Sequence, residues 1–306
     1  MRLLNVETRK LREFVISVPE YAILSHTWGD DEVTFQDLDC PDHTKKRGYT
    51  KIDGFCCLAA KNGFEWVWVD TCCIDKTSSA ELSEAINSMY RWYKDSQICY
   101  AYLEDIQPDD DLNGFDRQFG NSRWFTRGWT LQELLAPPAV SFFNAAWKEL
   151  GTRSSLAREI GSITSIPTDF LRDRHVHRAK VAERMSWAAR RQTTRVEDRA
   201  YSLLGIFDVN MPLLYGEAEK AFERLQIEVM RQSSDDSILA WSLTHELQSL
   251  KSLDDPNISN ASTIPALASS PGDFVGWVDT QTEGFYERTS SIMEMTNRGL
   301  RVALPV

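Results

Sequence analysis

The sequence has no uninterrupted apolar run near the roughly 20 residues that a membrane-crossing helix needs. Its N-terminus, "MRLLNVETRKLREF", is charged throughout and lacks the apolar centre of a signal peptide. Together these absences give the expectation of a cytoplasmic protein with no membrane span. Basic charge is in deficit: 34 Lys and Arg stand against 45 Asp and Glu, a formal net charge of −11. A surface of that sign does not attract nucleic acid or anionic lipid in bulk. Lys45-Lys46-Arg47 and the pair Arg123/Arg127 are the candidates for a local basic patch.

The motifs of common enzyme chemistries are also missing. There is no GxGxxG loop for a dinucleotide and no GxxxxGK loop for a nucleoside triphosphate. No GxSxG nucleophile elbow occurs. Among five histidines only His175 and His177 lie close together, so no metal site is expected. A metal-dependent nuclease is a poor reading because no Asp/Glu/His cluster has suitable spacing. The six cysteines include the adjacent pairs Cys56-Cys57 and Cys72-Cys73, which fit neither a CxxC zinc knuckle nor a spaced disulfide framework. Buried free thiols in a reducing compartment are the expectation.

What is present is core-forming material: 42% of the residues are hydrophobic and ten are tryptophan, so general disorder is excluded over 306 residues. The first half alternates two periodicities. Strand patterns fall at Tyr21–Ser25, Val67–Asp70, Ile98–Leu103 and Val140–Phe143. Helical spacing runs through "TKIDGFCCLAAKNGF", through the segment after the Ser78/Glu81 capping-box pattern, and through "SSLAREIGSITSI". Strands separated by helices imply parallel pairing with right-handed crossovers, hence an open α/β sheet. Ligands bind such sheets beyond the carboxyl ends of the strands. Here those ends carry Ser25-His26, Asp70 and Glu104-Asp105.

The second half reads as helices, in "KVAERMSWAARRQTTRVEDRAYSLLGIF" and "GEAEKAFERLQIEVMRQ". A Ser/Asp/Asn/Pro-rich stretch from about Thr244 to Gly272 has the composition of a mobile loop. The closing "GLRVALPV" is a strand pattern, which suggests a piece of a longer protein. The expected division is an α/β core over 1–151, a helical extension over 152–243, and a loop with a strand-forming segment over 244–306.

Two stretches hold the chemistry-bearing side chains. In "SHTWGDDE", Ser25, His26, Thr27 and Trp28 follow the first strand, where a hydroxyl, an imidazole and an indole can bond and stack on a nucleoside. The plainer alternative is that Trp28 fills core and Ser25 caps a turn. Asp70 either holds the amides of Thr71 and Cys72 in a turn or orients a ligand hydroxyl. In "RGWTLQELLAPP", Glu133 stands four residues after Trp129 and shares its helical face, while Leu131, Leu134 and Leu135 pack inward and Pro137-Pro138 stop the helix. Arg123 and Arg127 either meet phosphate or pair with the acidic loop that precedes them.

The stretches "YAILSHTWGDDEVTFQDL", "WVWVDTCCIDK", "AINSMYRWYKDSQICYAYLEDI" and "SRWFTRGWTLQELLAP" resemble the HET domain of fungal heterokaryon (vegetative) incompatibility proteins. "TTRVEDRAYSLLGIFDVNMPLLYGEAEKAFERLQIEV" resembles the segment that follows it in that family. The resemblance implies a domain that triggers cell death when genetically different hyphae fuse, within a longer receptor-like protein. "YAILSHTWGDDE" is also similar to the first box of TIR domains, and "GWTLQEL" to their Trp-Cys-x-x-Glu-Leu box, with Thr130 in place of cysteine. The stretch Ser25-His26-Thr27-Trp28 has no close TIR counterpart. This second resemblance implies a TIR-like, flavodoxin-like parallel sheet with helices on both faces, followed by a mainly helical C-terminal extension. It also implies self-association and cleavage of the nicotinamide–ribose bond of NAD+ as substrate, with Glu133 as the catalytic carboxylate. Trp28 or Trp129 would stack on a ring, Arg127 would meet the pyrophosphate, and Ser25, His26, Thr27 and Asp70 would border the substrate. No other cofactor is implied. The competing expectation is a non-enzymatic, self-assembling death-signalling module, in which Glu133 is a structural carboxylate paired with an arginine such as Arg127.

Overall fold

The computed structural model describes residues 1–107, 115–173, 175–241, 266–277, 293–296 and 299–302, which form two compact units, Met1–Arg174 and His175–Val306. The acidic stretch after Gln107 and most of the stretch from Thr244 to Gly272 lie outside the described residues.

The first unit is built on a seven-stranded sheet: β1 (Arg2–Asn5), β2 (Leu11–Glu13), β3 (Tyr21–His26), β4 (Trp66–Trp68), β5 (Ile98–Leu103), β6 (Val140–Asn144) and β7 (Glu149–Thr152). Their order across the sheet is β2-β1-β4-β3-β5-β6-β7. The four central strands pair in parallel, β4 with β3, β3 with β5, and β5 with β6. The sheet as a whole is mixed, which corrects the expectation of a purely parallel one: β1, β2 and β7 join antiparallel. These three strands have three or four residues each, too few to print an alternation on the sequence. Asp70 does not end a strand as expected. It opens the short helix α2 (Asp70–Cys73), because β4 stops at Trp68.

Between the strands run α1 (Arg47–Lys61) and α3 (Ser79–Asp95). In register, Trp68 lies beside Ile23 and Tyr100 beside Leu24, so the two rings leave opposite faces of the sheet. Trp68 packs on Trp92 and Tyr93 of α3, while Tyr100 packs on Phe55 of α1. α1 and α3 therefore cover opposite faces. Ser78 caps α3 by accepting from the Glu81 amide at 3.3 Å. The reciprocal half of the capping box is absent, because Glu81 Oε1 instead accepts from the Asp75 amide at 2.8 Å and from Arg2.

After β5 come α4 (Phe115–Asn121) and α5 (Thr130–Leu135), the helix that carries Glu133. Every residue of α5 is buried, and it ends at Ala136 before the two prolines. The unit continues past Gly151 into α6 (Ala157–Thr164) and α7 (Thr168–Asp173). Arg153, 3% exposed, ties that continuation down by donating to the carbonyls of Leu134 and Pro138 at 2.6 and 3.3 Å.

The second unit holds α8 (Val181–Ala188), α9 (Asp198–Tyr201), α10 (Leu204–Phe207), α11 (Lys220–Gln232) and the antiparallel pair β8 (Met293–Thr296) and β9 (Gly299–Val302). The strand read in "GLRVALPV" thus finds its partner just before it in the chain. Glu197 accepts from the Gly216 and Ala218 amides at 2.7 and 3.3 Å, holding a turn in which both residues have positive φ. All six cysteines are free. Cys56, Cys72, Cys73 and Cys99 are buried, while Cys40 and Cys57 are exposed.

Candidate functional site

Strand order fixes where a ligand can enter. From β3 the chain passes to β4 on one side, then returns to β5 on the other. The crossovers diverge at the β3/β5 boundary, which opens a crevice at the carboxyl ends of these strands. A cleft of about 270 Å³ lies there, with Thr27 from the end of β3 and Tyr102, Glu104 and Asp105 from the end of β5. Its remaining walls are Gly29–Glu32, the first turns of α1 (Arg47, Gly48, Thr50, Lys51) and Arg123.

Behind this cleft, on the α3 side of the sheet, is a buried polar network. Ser25, fully buried, donates its hydroxyl to Glu133 Oε2 and accepts from Trp124 Nε1 at 2.7 Å. Glu133 is 7% exposed. Tyr93, on α3, donates to the Leu24 carbonyl at 2.9 Å. Burial pushes the Tyr93 phenol well up, and the neighbouring Glu133 carboxylate pushes it further. Burial, with Glu133 nearby, raises the Cys99 thiol in the same way. The Glu133 carboxylate thus has the Ser25 hydroxyl and the Tyr93 phenol beside it, and the Trp124 indole joins the network through Ser25.

His26 follows Ser25 in an extended strand, so its side chain leaves by the other face. Its Nε2 meets Asp70 Oδ1 at 3.0 Å, and Trp28 Nε1 donates to Asp70 Oδ2 at 2.8 Å. Lys76 Nζ stands 3.9 Å from the same carboxylate and 3.5 Å from the centre of the Trp28 ring, a cation–π contact. Burial works to raise the Asp70 carboxyl, but the Lys76 charge and the bonds from His26 and Trp28 outweigh it, holding the group below the usual carboxylate range. The Lys76 ammonium is pushed down by burial against the pull of Asp70. Trp28 is 45% exposed, so this cluster reaches solvent and the Glu133 network does not.

The residues singled out in the sequence therefore fall into separate groups. Ser25 and Glu133 meet. His26, Trp28 and Asp70 meet in a second group, and Thr27 lines the cleft together with Arg47, Glu104, Asp105 and Arg123. Arg127 and Trp129 are half-buried in the turn entering α5, where Thr130 Oγ1 bonds the Trp124 carbonyl at 2.6 Å. Sequence reasoning passed over Trp124, Tyr93, Lys76 and above all the ion pair Lys51–Glu32, whose side chains are 5% and 9% exposed. Glu32 also accepts from the Gly29 amide at 2.7 Å, and Lys51 donates to the Thr27 carbonyl at 3.3 Å. This pair fixes the "HTWGDDE" loop onto α1. Its one sequence signal was a lysine on the otherwise apolar face of a predicted helix.

The fold and its clefts define an α/β domain with a ligand-type crevice at the turning point of the parallel strands of a mixed sheet, followed in the chain by a second unit rich in helix. Among the described residues no group of three or more His, Cys, Asp or Glu is placed to hold a metal ion, and no helix is long and apolar enough to cross a membrane. Residues 21–117 match the family model described as heterokaryon incompatibility protein (HET), and residues 220–296 match that of a domain of unknown function, DUF8212. Over 230 residues the chain is 50% identical to the vegetative incompatibility protein HET-E-1 of Podospora anserina. That match takes in 73% of this chain and 17% of the relative. The chain belongs to the heterokaryon incompatibility (HET) family. No solved structure matches it. Glu133 lies beyond the residues that the HET model matches.

Proposed function

We propose that this chain is the death-effector part of a longer, cytoplasmic heterokaryon incompatibility protein, and that its α/β unit is a TIR-like NAD+ nucleosidase with Glu133 as the catalytic carboxylate. The observation that carries the reading is the hydrogen bond from Ser25 to Glu133, which joins the two stretches that resemble TIR boxes. Strand order supports it as well: numbered along the chain, the central parallel strands run 2-1-3-4, the order of a flavodoxin-like sheet.

The chemistry asks little of the protein. The C1′–N bond breaks with its electrons leaving on nicotinamide, the ribose passes through an oxocarbenium-like state, and water adds at C1′ with loss of a proton. A carboxylate with 7% exposure stabilises that positive charge more strongly than one in bulk water. Ser25 holds one carboxylate oxygen in place. The test is release of nicotinamide from NAD+ by purified protein. Glu133→Gln is expected to lower it by about 100-fold or more while the fold persists; an unchanged rate sinks the reading. Self-association belongs to the same proposal: specific activity should rise with protein concentration, and a monomer of constant specific activity contradicts it.

One observation favours the second reading, a non-enzymatic self-assembling module. Glu133 is buried, and it already has the Ser25 hydroxyl and the neighbouring Tyr93 phenol. A structural carboxylate is held in this way. Protein that assembles and kills while leaving NAD+ intact establishes that reading instead.

A further inference from the structure

We propose that the cleft at the β3/β5 boundary binds a phosphoribosyl group, with Arg47 and Arg123 meeting the phosphate and the carboxylates of Asp30 and Glu104 taking ribose hydroxyls. The proposal requires binding and no bond cleavage, so it stands apart from the role given to Glu133.

The charges of the cleft divide into those already engaged and those left over. Three of its carboxylates are engaged in building the walls. Asp31 Oδ2 accepts from the Arg47 amide at 2.9 Å, and the Asp31 carbonyl accepts from the Gly48 amide at 2.9 Å. Glu32 Oε1 is taken by Lys51 and Gly29. Asp105 accepts from the Ser122 hydroxyl at 2.8 Å and from the Arg123 amide at 2.7 Å. Residues 29–32 after β3 and Asp105 after β5 are thus held before any ligand arrives, which lowers the entropic cost of binding. Arg47 and Arg123 are not spent in this way: both line the cleft, and neither guanidinium has a carboxylate partner among the described residues. Paired guanidiniums are suited to phosphate because their planar donors match its oxygens.

Size and lining decide what else the ligand carries. The one ring in the walls, Tyr102, is 8% exposed, stacked on Trp147 and bonded through its hydroxyl to the Ala145 carbonyl at 3.0 Å. It offers no free face to a base. A polar cleft of about 270 Å³ fits a sugar phosphate better than a whole dinucleotide. One acceptor in the wall is still unused. Glu32 Oε2 is buried against Gly48 without a hydrogen-bond partner.

The experiment is calorimetric titration of the 306-residue chain with ribose 5-phosphate and with ADP-ribose. Both should bind saturably, with ribose and inorganic phosphate each weaker by about tenfold or more. Arg47→Gln and Arg123→Gln, both at exposed positions, should each weaken binding by about tenfold or more and keep the parent circular dichroism spectrum. Lys45→Gln, outside the cleft, should bind as the parent does. Absence of saturable binding overturns the proposal, as do arginine variants that bind normally or inorganic phosphate that binds as tightly as the sugar phosphate. If ribose 5-phosphate binds and NAD+ is not cleaved, the Glu133 reading fails and this one holds. If NAD+ is cleaved at the parent rate by both arginine variants and ribose 5-phosphate does not bind, the reverse is true.

Discussion

Ser25 Oγ donates to Glu133 Oε2 across 108 residues of sequence, and the same hydroxyl accepts from Trp124 Nε1 at 2.7 Å. A serine hydroxyl has one proton and two lone pairs, so this one group satisfies both a buried acceptor and a buried donor. Ser25→Ala leaves both without it. The loss should be about 1–3 kcal/mol of unfolding free energy, the cost of stranding buried polar groups. Urea denaturation measures it, and a change within error would show that water replaces the hydroxyl.

Lys51 and Glu32 form a buried pair that anchors the loop after β3. Lys51→Met keeps most of the side-chain volume but strands the Glu32 charge. Removing one member of such a pair costs about 3–5 kcal/mol. Lys51→Met combined with Glu32→Gln should recover part of that loss, since the uncompensated charge is gone. A double variant no more stable than the single one contradicts a charge-based explanation.

Gly48 makes the closest approach of α1 to this loop. An added Cβ would lie 2.8 Å from Glu32 Oε2 and 2.9 Å from both the Asp31 carbonyl oxygen and Glu32 Cα. Two of those atoms are backbone and cannot swing away. Gly48→Ala should therefore destabilise by about 1–3 kcal/mol, the range for overpacking, despite the better helix propensity of alanine. Equal or higher thermal stability would show that the loop yields.

Asp70 predicts an acid limb. Its folded carboxyl is held below the usual range, so its stabilising contribution is complete above the unfolded-state pKa of about 3.9. That contribution is lost as pH falls below this value toward the depressed folded one. Asp70→Asn removes the titrating group, so stability should fall less steeply below about pH 5 than in the parent. Denaturation midpoints at a series of acidic pH values give the two slopes. Parallel slopes would mean that the cluster of His26, Trp28 and Lys76 exerts no net pull on Asp70.

The sequence by itself determined the elements whose side chains repeat over enough residues to leave a pattern. The apolar runs at Tyr21, Ile98 and Val140 became the parallel strands, and the periodic stretches after Lys46 and Ser78 became α1 and α3. It also marked Ser25 and Glu133, because a polar side chain at a strand end or a carboxylate among tryptophan, leucine and proline is conspicuous in one dimension. Tertiary structure decided the rest. The three antiparallel strands of three or four residues exist only because a neighbouring strand supplies their hydrogen bonds. Consecutive residues of β3 were expected around one cleft, yet the pleat sends Ser25 to Glu133 and His26 to Asp70. Strand order, set by which crossover passes which face, placed the cleft against Arg47 and Arg123, residues 76 positions apart that no local pattern connects. Burial of Lys51 is of the same kind: a lysine on a helix looks solvated until the loop that carries Glu32 folds over it.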